Sequence, residues 1–497
     1  MPPVFRAGAL KAREERWKRK LSLAPRASGS LCVLTLRMPH ALRMSYPASR
    51  LSLDLHFDLL SAFALRGWDL SYQLCLHGAD GPESYFLLSA SPGEAKEFGI
   101  RWEEDHPLGG IADFDVMDPS GNPLSRESFG FGPRPCLVCQ FMGSDPTNGV
   151  SGAACAARQA HPAWEVESKV RDILVRAGRG EEWLPYSDAH PADTRASGEE
   201  KLIADRIARA ALSATLREAA LAPKPGLVSP ESRGSHDDMD YGLFLASARA
   251  LAPYFSGFAA LGRRFRDSPG DMLPRLRPAG REAESAMFTA TGGVNTHKGL
   301  IFSLGLLCAA AGSMAEEGRS PFGKSEAETP IAAASRLCGR AALIAGNITE
   351  RDLAGLAALP NGPERRPTYG ETLYMKEGIR GVRGEAQDGF PSVLHHALPK
   401  LEEGLQRGID PDEAALDTLL LLFTVVEDTN VLARAGAKGL GSLKSGASEA
   451  LAAGGASSPL GREKIRELDE TLRALRASPG GCADLLALTF FLHDLCG

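Results

Sequence analysis

The segment at 284–299 combines a carboxylate, two adjacent glycines and four polar side chains within a short run. Gly292 and Gly293 let the backbone approach a ligand closely. A glycine turn that leads into a helix, predicted here at 300–311, suits a phosphate because free N–H groups and the helix dipole face it. The spacing matches neither standard phosphate loop, and the alternative is a polar connection between two core helices. The candidate side chains are those of Glu284, Asn295, Thr296, His297 and Lys298.

A second polar segment, GSHDDMD at 234–240, is predicted to open a helix. Ser235 is its predicted N-cap, and Asp238 falls in the first turn, where acids complement the helix dipole. Capping leaves His236 and Asp240 unexplained, since they would lie one turn apart on one helical face. These two residues are therefore candidates for catalysis.

Charged residues also lie at two other breaks between helices. Arg380 and Arg383 occupy a glycine-punctuated loop, which suits a triphosphate, although an exposed basic loop is the alternative. The sequence EDTN at 427–430 follows a helix predicted at 411–426. Acids at a helix C-terminus oppose its dipole, so either the helix continues past Asp428 or a cation compensates the charge.

Asp113 and Asp115 alternate with Phe114 along a strand predicted at 111–117. Both carboxylates should then point to the same face of a sheet. Adjacent carboxylates repel unless a cation lies between them, and Mg²⁺ is the usual cation where phosphates are handled. The alternative interpretation is an exposed pair of acids near the end of a strand.

Cys136 and Cys139 form a C-x₂-C pair that Cys155 and His161 follow. Three thiolates and one imidazole are a donor set that holds zinc tetrahedrally. The second half of the cluster lacks the tight spacing of a zinc knuckle. Reduced structural cysteines are therefore the alternative.

The elements that must position these residues change character along the chain. The first 120 residues mix predicted strands at 31–38, 70–76, 84–89 and 111–117 with helices at 10–20, 53–65 and 92–104, which indicates an α/β or α+β domain. Residues 178–198 are rich in Gly, Pro and charge and are typical of a linker. The later sequence predicts only helices, as in an all-α domain. These helices are predicted at 201–220, 237–252, 281–291, 300–314, 329–345, 350–358, 411–426, 462–476 and 482–495.

The composition excludes several classes of protein. A net charge of −6 argues against a general nucleic-acid binder. No apolar run reaches the length of a membrane span, and no apolar segment follows the basic N-terminus as in a secretory signal. Nine scattered cysteines fit reduced thiols and a cytoplasmic location.

The later half resembles triphosphoribosyl-dephospho-CoA synthase, the CitG family, over 200–497. The motifs that carry this resemblance are PKPGLV at 223–228, GSHDDMD at 234–240, EAESAMFTATGGVNTHKGLIFSLG at 282–305, RGEA with GFPSV at 383–393, EDTNVL at 427–432 and GGCADLLALTFFL at 480–492. The usual aspartate pair of the family before TN is Glu427-Asp428 here.

The first part resembles the apo-citrate lyase phosphoribosyl-dephospho-CoA transferase, or CitX, family over 10–176. The motifs are EEDHPLG at 103–109, the strand with Asp113 and Asp115, DPSGNPLSR at 118–126 and RPCLVC at 134–139. The two resemblances together indicate a fused CitXG arrangement, with a nucleotidyltransferase-like N-terminal domain, a linker at 177–199 and a helical domain at 200–497.

The resemblance implies two steps. The helical domain would join ATP to 3′-dephospho-CoA, giving 2′-(5″-triphosphoribosyl)-3′-dephospho-CoA and adenine. The N-terminal domain would transfer the phosphoribosyl-dephospho-CoA unit to a serine of the citrate lyase acyl carrier protein, with release of pyrophosphate. No nucleic acid or membrane partner is expected, and a homodimer is an option that the sequence leaves open.

This chemistry suggests roles for the candidate residues. An oxocarbenium-like transition state needs nearby carboxylates and a base, and the phosphates need Mg²⁺ and basic donors. Asp238, Asp240, Glu284 and Asp428 are candidates for metal or cation stabilisation, and His236 or His297 for the base. Lys224, Lys298, Arg380 and Arg383 are candidates for phosphate binding, with Gly292, Gly293 and Thr296 beside them, and Asn295 and Asn430 for ribose or adenine. In the N-terminal domain Asp113 and Asp115 would hold Mg²⁺, and Arg134 would contact pyrophosphate.

Three alternatives remain at this point. The carrier protein could be that of malonate decarboxylase. The N-terminal domain could be a zinc-stabilised module that docks the carrier protein without catalysis. The helical domain could bind nucleotides without turnover, in which case ATP would not yield free adenine.

Overall fold

The computed structural model describes residues 3–139, 155, 160–179, 192–315, 329–354 and 369–497. The chain separates into two compact units, Met1–Pro191 and Ala192–Gly497. Residues 180–191 of the predicted linker lie outside the described residues, whereas 192–199 belong to the first helix of the second unit.

The N-terminal unit is built from five helices and four strands in its described part. In chain order they are α1 (Pro3–Leu23), β1 (Ser30–Leu36), α2 (His40–Arg43), α3 (Tyr46–Leu65), β2 (Leu70–Gly78), β3 (Gly81–Leu88), α4 (Pro92–Asp105), β4 (Ala112–Met117) and α5 (Ala163–Arg176). All four predicted strands are present, and the start of α4 is a capping box between Ser91 and Glu94, as its sequence predicts.

The four strands form one antiparallel sheet in the order β2-β3-β1-β4. Of the two fold classes predicted, this arrangement is α+β, because no parallel crossover unit is present among the described strands. One face of the sheet is apolar, with Phe86 and Phe114 packed against Phe63 of α3 and Phe98 of α4. This face is the core of the unit.

The opposite face of the sheet carries acids that α1 neutralises. Asp115 pairs with Val33 across the ladder, and Asp113 pairs with Thr35, so both carboxylates point away from Phe114. The predicted charged helix supplies the counter-ions: Lys20 contacts Asp115 at 2.6 Å, and Arg16 contacts Glu83 at 2.7 Å. The basic N-terminus is therefore a packed element of the fold.

The C-terminal unit is helical throughout its described part. Its helices are α6 (Ala192–Ala220), α7 (Tyr241–Arg264), α8 (Met272–Ala290), α9 (Lys298–Met314), α10 (Pro330–Ala345), α11 (Tyr369–Glu377), α12 (Gly381–Gln387), α13 (Leu398–Gln406), α14 (Pro411–Val425), α15 (Thr429–Ala452), α16 (Pro459–Ala474) and α17 (Gly480–Cys496). A π-helical turn at Glu350–Ala354 replaces the start of the helix predicted at 350–358, and 355–358 lie outside the described residues. Within the described ranges, no helix has the length and apolar character needed to cross a membrane.

Three local predictions in this unit were wrong. The helix predicted from 237 begins at Tyr241, so the segment at 236–240 lies outside it. The predicted loop with Arg380 and Arg383 contains the short helices α11 and α12. Finally, α15 was missed because its many Gly, Ala and Ser residues obscure the apolar periodicity.

Two glycines let α7 and α9 approach each other closely. A Cβ atom at Gly262 would lie 1.9 Å from the carbonyl oxygen of Ala309, and one at Gly312 would lie 2.0 Å from that of Ala259. Backbone cannot yield as a flexible side chain would, so these positions require glycine. This packing also positions His297, the residue that precedes α9, against Ser247 of α7.

We expect Gly262→Ala to lower the free energy of unfolding by about 1–3 kcal/mol, because the methyl group would force α7 and α9 apart. Gly257→Ala is a matched control on the same helix, since a Cβ atom there would meet nothing within 4 Å. This control should raise stability by up to about 1 kcal/mol through helix propensity. Urea unfolding followed by circular dichroism measures both, and equal effects of the two substitutions would contradict the close packing.

Candidate active site

A cavity of about 720 Å³ lies within the helical unit and collects most of the polar residues singled out from the sequence. Its wall is formed by the segment that follows α6, the start of α9, the region around α12, the start of α15 and the start of α17. The sequence-predicted residues that line it are Lys224, His236, Asp238, Asn295, Thr296, His297, Lys298, Arg380, Asp428 and Asn430.

Four helices begin at the wall of this cavity. Their first residues, Lys298, Gly381, Thr429 and Gly480, all line it. Helix N-termini carry partial positive charge and favour anions. The wall is further supplied with cations by Lys298, Arg380, Arg434 and Lys444. The wall also carries acids, among them Asp238, Glu427 and Asp428, so it suits a polyanionic ligand that binds together with a cation.

Asp428 joins two of these helix starts. Its Oδ1 accepts hydrogen bonds from the N–H groups of Asn430 and Val431 in α15, and its Oδ2 accepts one from Cys482 in α17 at 2.9 Å. Burial raises the pKa of this carboxyl, and the three donors oppose that effect. Asp428 thus caps a new helix, because α14 ends at Val425. Neither continuation of α14 nor a compensating cation is needed.

His297 is buried, and one side of its ring faces the protein. Its Nδ1 lies 2.6 Å from the Ser247 hydroxyl of α7, and its ring packs edge-on against Phe244. Its Nε2 is buried with no hydrogen-bond partner in the described structure. Burial and the neighbouring Lys224 ammonium lower the pKa of His297 to about 3. The imidazole is therefore neutral at physiological pH, and its Nε2 is a buried nitrogen whose hydrogen bonding the described residues leave unsatisfied.

His236 differs from His297 in having partners for both ring nitrogens. Its Nε2 lies 2.8 Å from the Ser478 hydroxyl, and Arg434 lies 3.4 Å from its Nδ1. Asp238 is 3.5 Å from the same Nδ1 and is largely exposed. Burial and the Arg434 charge lower the pKa of His236. The arrangement favours a positioning role for this residue.

A buried charge cluster lies beside His297. The Lys224 ammonium is 2.6 Å from the Glu218 carboxylate, and both side chains are almost fully buried. Asp484 of α17 faces the same cavity, and a Cβ atom at Gly299 would lie only 2.1 Å from its Oδ2. Burial and the nearby Glu218 and Asp428 charges raise the pKa of Asp484 well above its usual range. This carboxyl is therefore protonated under conditions where most carboxyls are charged.

Several predicted residues lie elsewhere. Asp240 is the N-cap of α7, where it accepts a bond from the Leu243 N–H at 3.1 Å, and it does not line the cavity. This position also corrects Ser235 as the cap. Gly292 and Gly293 form a left-handed turn before α9 and likewise do not line the cavity.

A second cavity, of about 470 Å³, adjoins the first. Glu284 lies there with its carboxylate 3.1 Å from the Lys298 ammonium, and Arg383 lies there 3.5 Å from Asp352. The two cavities share Lys298, Gly299 and Val382 in their walls. Its remaining lining is mainly apolar, which suits an uncharged part of a ligand.

In the N-terminal unit, Asp113 and Asp115 lie on one sheet face beside basic side chains. Arg134 contacts Asp113 at 3.2 Å and Glu103 at the same distance, while Lys20 contacts Asp115. Burial and the Asp115 charge raise the pKa of Asp113. Both carboxylates remain about half exposed. They can therefore meet a ligand from solvent.

The four members of the predicted Cys/His cluster lie together. Cys136, Cys139, Cys155 and His161 each place a ligand atom within 4.8 Å of the other three. A donor set of this kind is compatible with zinc.

The charged residues of the main cavity that sequence reasoning missed include Glu218, Arg434, Lys444 and Asp484. Asp484 had a usable signal, because it is the one acid within the apolar stretch at 482–492 and charged residues are rarely buried without a reason. Arg434 and Lys444 had none, since a break at Gly436, with φ of 63°, separates them within α15.

The lowered pKa of His297 makes the stability of the helical unit depend on pH. The unfolded chain binds a proton below about pH 6.5 and the folded one does not until about pH 3, so this contribution is full above about pH 6.5 and is lost as the pH falls. Between about pH 7.5 and about pH 5, the unmodified protein should lose about 2 kcal/mol more than His297→Gln. Urea unfolding at the two pH values tests this, and equal losses would show that His297 titrates normally.

Comparison with known proteins agrees with the two-unit division. The CitG family model, ATP:dephospho-CoA triphosphoribosyl transferase, matches residues 204–497. The CitX model, apo-citrate lyase phosphoribosyl-dephospho-CoA transferase, matches residues 6–177.

Individual relatives show the same pattern. A probable 2-(5″-triphosphoribosyl)-3′-dephosphocoenzyme-A synthase of Azotobacter vinelandii is 40% identical over 293 residues, which cover 59% of this chain and 92% of the relative. Protein CitXG of Leuconostoc mesenteroides subsp. cremoris is 33% identical over 423 residues, which cover 84% of this chain and 81% of the relative. The chain therefore belongs to the CitG family and, with its CitX domain, is a fused CitXG-type transferase of citrate lyase prosthetic-group synthesis.

Proposed function

We propose that the helical unit joins ATP and 3′-dephospho-CoA into 2′-(5″-triphosphoribosyl)-3′-dephospho-CoA and releases adenine. The N-terminal unit then transfers the phosphoribosyl-dephospho-CoA group to a serine of the citrate lyase acyl carrier protein and releases pyrophosphate. The observation that carries this proposal is a single cavity that combines an anion-binding wall with two titratable groups, His297 and Asp484, whose pKa values are shifted in opposite directions.

The triphosphate of ATP would lie against the helix starts and the basic side chains. Arg434 and Lys444 reach the cavity from α15, and Lys298 reaches it from α9. Charge-assisted hydrogen bonds from such groups are stronger than neutral ones. Arg380 is partly committed to Asp388, with which it forms an ion pair. Lys298 is likewise paired with Glu284, at 3.1 Å. We therefore assign the principal phosphate contacts to Arg434 and Lys444 and secondary contacts to Lys298 and Arg380.

His297 and Asp484 suit the base and acid of a glycosyl transfer. The 2′-hydroxyl oxygen of dephospho-CoA forms a bond to C1 of the ATP ribose, and the bond from C1 to adenine breaks. Neutral His297 would take the proton on Nε2 after the hydroxyl oxygen has bonded to C1, because an oxonium proton is acidic enough for a weakly basic imidazole, while protonated Asp484 would donate a proton to the departing adenine. Paired groups whose environments separate their pKa values commonly divide acid and base roles in this way. His236, with both nitrogens engaged, would position Arg434.

Mg²⁺ would supply charge neutralisation to the triphosphate. Asp428 fits this ion poorly, because its oxygens already accept three backbone hydrogen bonds. Asp238 and Glu427 fit better, since both line the cavity and both are exposed. We therefore assign the metal role to Asp238 and Glu427 and a structural role to Asp428.

Two substrates must meet in this unit, and two adjoining cavities are present. The smaller cavity is lined by apolar residues such as Phe258, Ile301 and Phe302. Its shared wall with the main cavity at Lys298 and Gly299 would let one ligand extend through both. We assign it to the pantetheine arm of dephospho-CoA, which carries no charge.

The proposed reaction is tested by mass spectrometry of the products after the protein is mixed with ATP, Mg²⁺ and 3′-dephospho-CoA. We expect free adenine together with a triphosphoribosyl adduct. ADP in place of adenine would refute glycosyl transfer. An absence of turnover in a protein that still binds ATP would favour the non-catalytic alternative for this unit.

Asp484→Asn should reduce the rate of adenine release by roughly 10²–10⁴-fold, because an amide cannot protonate the leaving base. The rate of the unmodified enzyme should fall as the pH rises through the raised pKa of Asp484, and this alkaline decline should be absent from the variant. Asp494→Asn is the matched control, since Asp494 lies on the same helix and does not line the cavity. Equal rates for the two variants would contradict the acid role.

In the N-terminal unit, Asp113 and Asp115 would hold Mg²⁺ and Arg134 would contact the leaving pyrophosphate. Two carboxylates on one exposed sheet face are a donor set that Mg²⁺ accepts. Phosphoryl transfer depends on positioning and charge neutralisation more than on a protein nucleophile. The cations Lys20 and Arg134 next to the carboxylates support a site that handles phosphates.

Asp113→Asn should lower transfer to the apo carrier protein by roughly 10²–10³-fold and leave adenine release unchanged. Purified adduct as the donor separates the two steps, and protein mass spectrometry of the carrier measures transfer. Asp105→Asn, an exposed carboxylate at the end of α4, is the control. Transfer that survives Asp113→Asn would favour the alternative of a non-catalytic docking module. Preferential transfer to the malonate decarboxylase carrier protein would show that this protein, and not the citrate lyase carrier, is the acceptor.

A further inference from the structure

The Cys/His cluster of the N-terminal unit has the geometry of a complete metal site. The Cys139 sulfur lies 3.7 Å from the Cys155 sulfur and 3.2 Å from Nε2 of His161. A tetrahedral zinc ion with Zn–S bonds of about 2.3 Å separates its sulfur ligands by about 3.8 Å. Cys136 completes a set of four donors, all within 4.8 Å of one another. The spacing therefore leaves room for one ion at the centre.

Nearby groups support the ligands as they do in metal sites. Nδ1 of His161 lies 3.1 Å from a carboxylate oxygen of Glu165, so the ring can donate its proton there and present Nε2 to an ion. Val138 and Val166 pack against the cysteines and shield them from water. The structure contains no disulfide among the nine cysteines, so these thiols are available as ligands.

We propose that the N-terminal unit binds one structural Zn²⁺ through Cys136, Cys139, Cys155 and His161. All four coordination positions are filled by the protein, which is the arrangement of a structural rather than a catalytic zinc site. The ion would join the segment at 136–139 to the start of α5. The proposal does not depend on the reaction of either unit.

The position of the site in the chain indicates a structural role for the ion. Arg134 lies two residues before Cys136, and its guanidinium donates to the carbonyls of Gly109 and Ala112 at 2.7 and 2.6 Å, next to Asp113. Arg37 donates to the carbonyl of Pro135 at 2.7 Å. A metal anchored at Cys136 would therefore hold the segment that carries Arg134 against β4.

Metal analysis of the full chain, purified without metal-affinity tags or chelators, tests the proposal directly. We expect one zinc per chain. Replacement by Co²⁺ should give the intense visible bands of tetrahedral coordination together with a thiolate charge-transfer band. Free thiols at all three cysteine positions without bound zinc, or a six-coordinate cobalt spectrum, would overturn the proposal.

Variants locate the ion. Cys139→Ser should abolish the charge-transfer signal from one ligand and lower zinc affinity strongly. Glu165→Gln should weaken zinc binding by roughly 10–100-fold in a competition assay with a chelator, because it disturbs only the orientation of His161. Glu167→Gln on the same helix is the control and should bind zinc as the unmodified protein does. Equal affinities of the Glu165 and Glu167 variants, or zinc content unchanged in Cys139→Ser, would show that the ion is bound elsewhere.

Discussion

The main cavity of the helical unit depends on the hydrogen bonds of one carboxylate, that of Asp428. Asp428 accepts N–H groups from the first turns of both α15 and α17, so it fixes two helix starts at one wall. Gly481 permits this approach, because a Cβ atom there would lie 2.9 Å from the Asp428 carboxylate. With these two starts fixed, the residues that follow them reach the cavity in a defined arrangement. The Asp428 carboxylate thereby fixes the position of the wall before any ligand binds.

Burial away from water shifts the pKa values of two other residues of the cavity, His297 and Asp484. Lys224 and Glu218 neutralise each other, which removes most of the cost of burying two charges. Each charge of the pair still acts on its nearer neighbour. The Lys224 ammonium disfavours a proton on His297, and the Glu218 carboxylate disfavours loss of a proton from Asp484. Burial is the larger cause of both shifts: it lowers the pKa of His297 and raises that of Asp484, and the buried ion pair adds to each shift through one of its members.

The sequence predicted helices, strands and caps better than it predicted which residues meet in the folded structure. The strand positions and the capping box at Ser91 are confirmed, because local propensity and side-chain caps determine them. The cap of α7 was assigned to Ser235 instead of Asp240, since both residue types cap helices and the choice depends on where the preceding chain packs. Segments rich in Gly and Ala, such as α15, carry too weak a periodicity to predict.

Residues that meet only through the tertiary fold were beyond prediction. Most of the polar residues chosen from 224–430 do line one cavity, yet Glu284 and Arg383 line its neighbour and Asp240 lines neither. Nothing in the sequence indicates that Asp484 would lie against Gly299, because these residues are far apart in the chain and belong to different helices. Their contact depends on how α9 and α17 pack, which no local pattern encodes.

The two carboxylates of β4 show how basic side chains compensate a pair of acids on one sheet face. Asp113 and Asp115 alone would repel both each other and an incoming polyanion. Lys20 from α1 and Arg134 from the segment after β4 cancel this charge on the same sheet face. An approaching phosphate would therefore meet ion pairs instead of a bare negative surface. Because both carboxylates remain about half exposed, their oxygens stay accessible to a metal ion. Under the proposed function, the packing of a basic helix onto an acidic sheet face lowers the repulsion of a negatively charged donor.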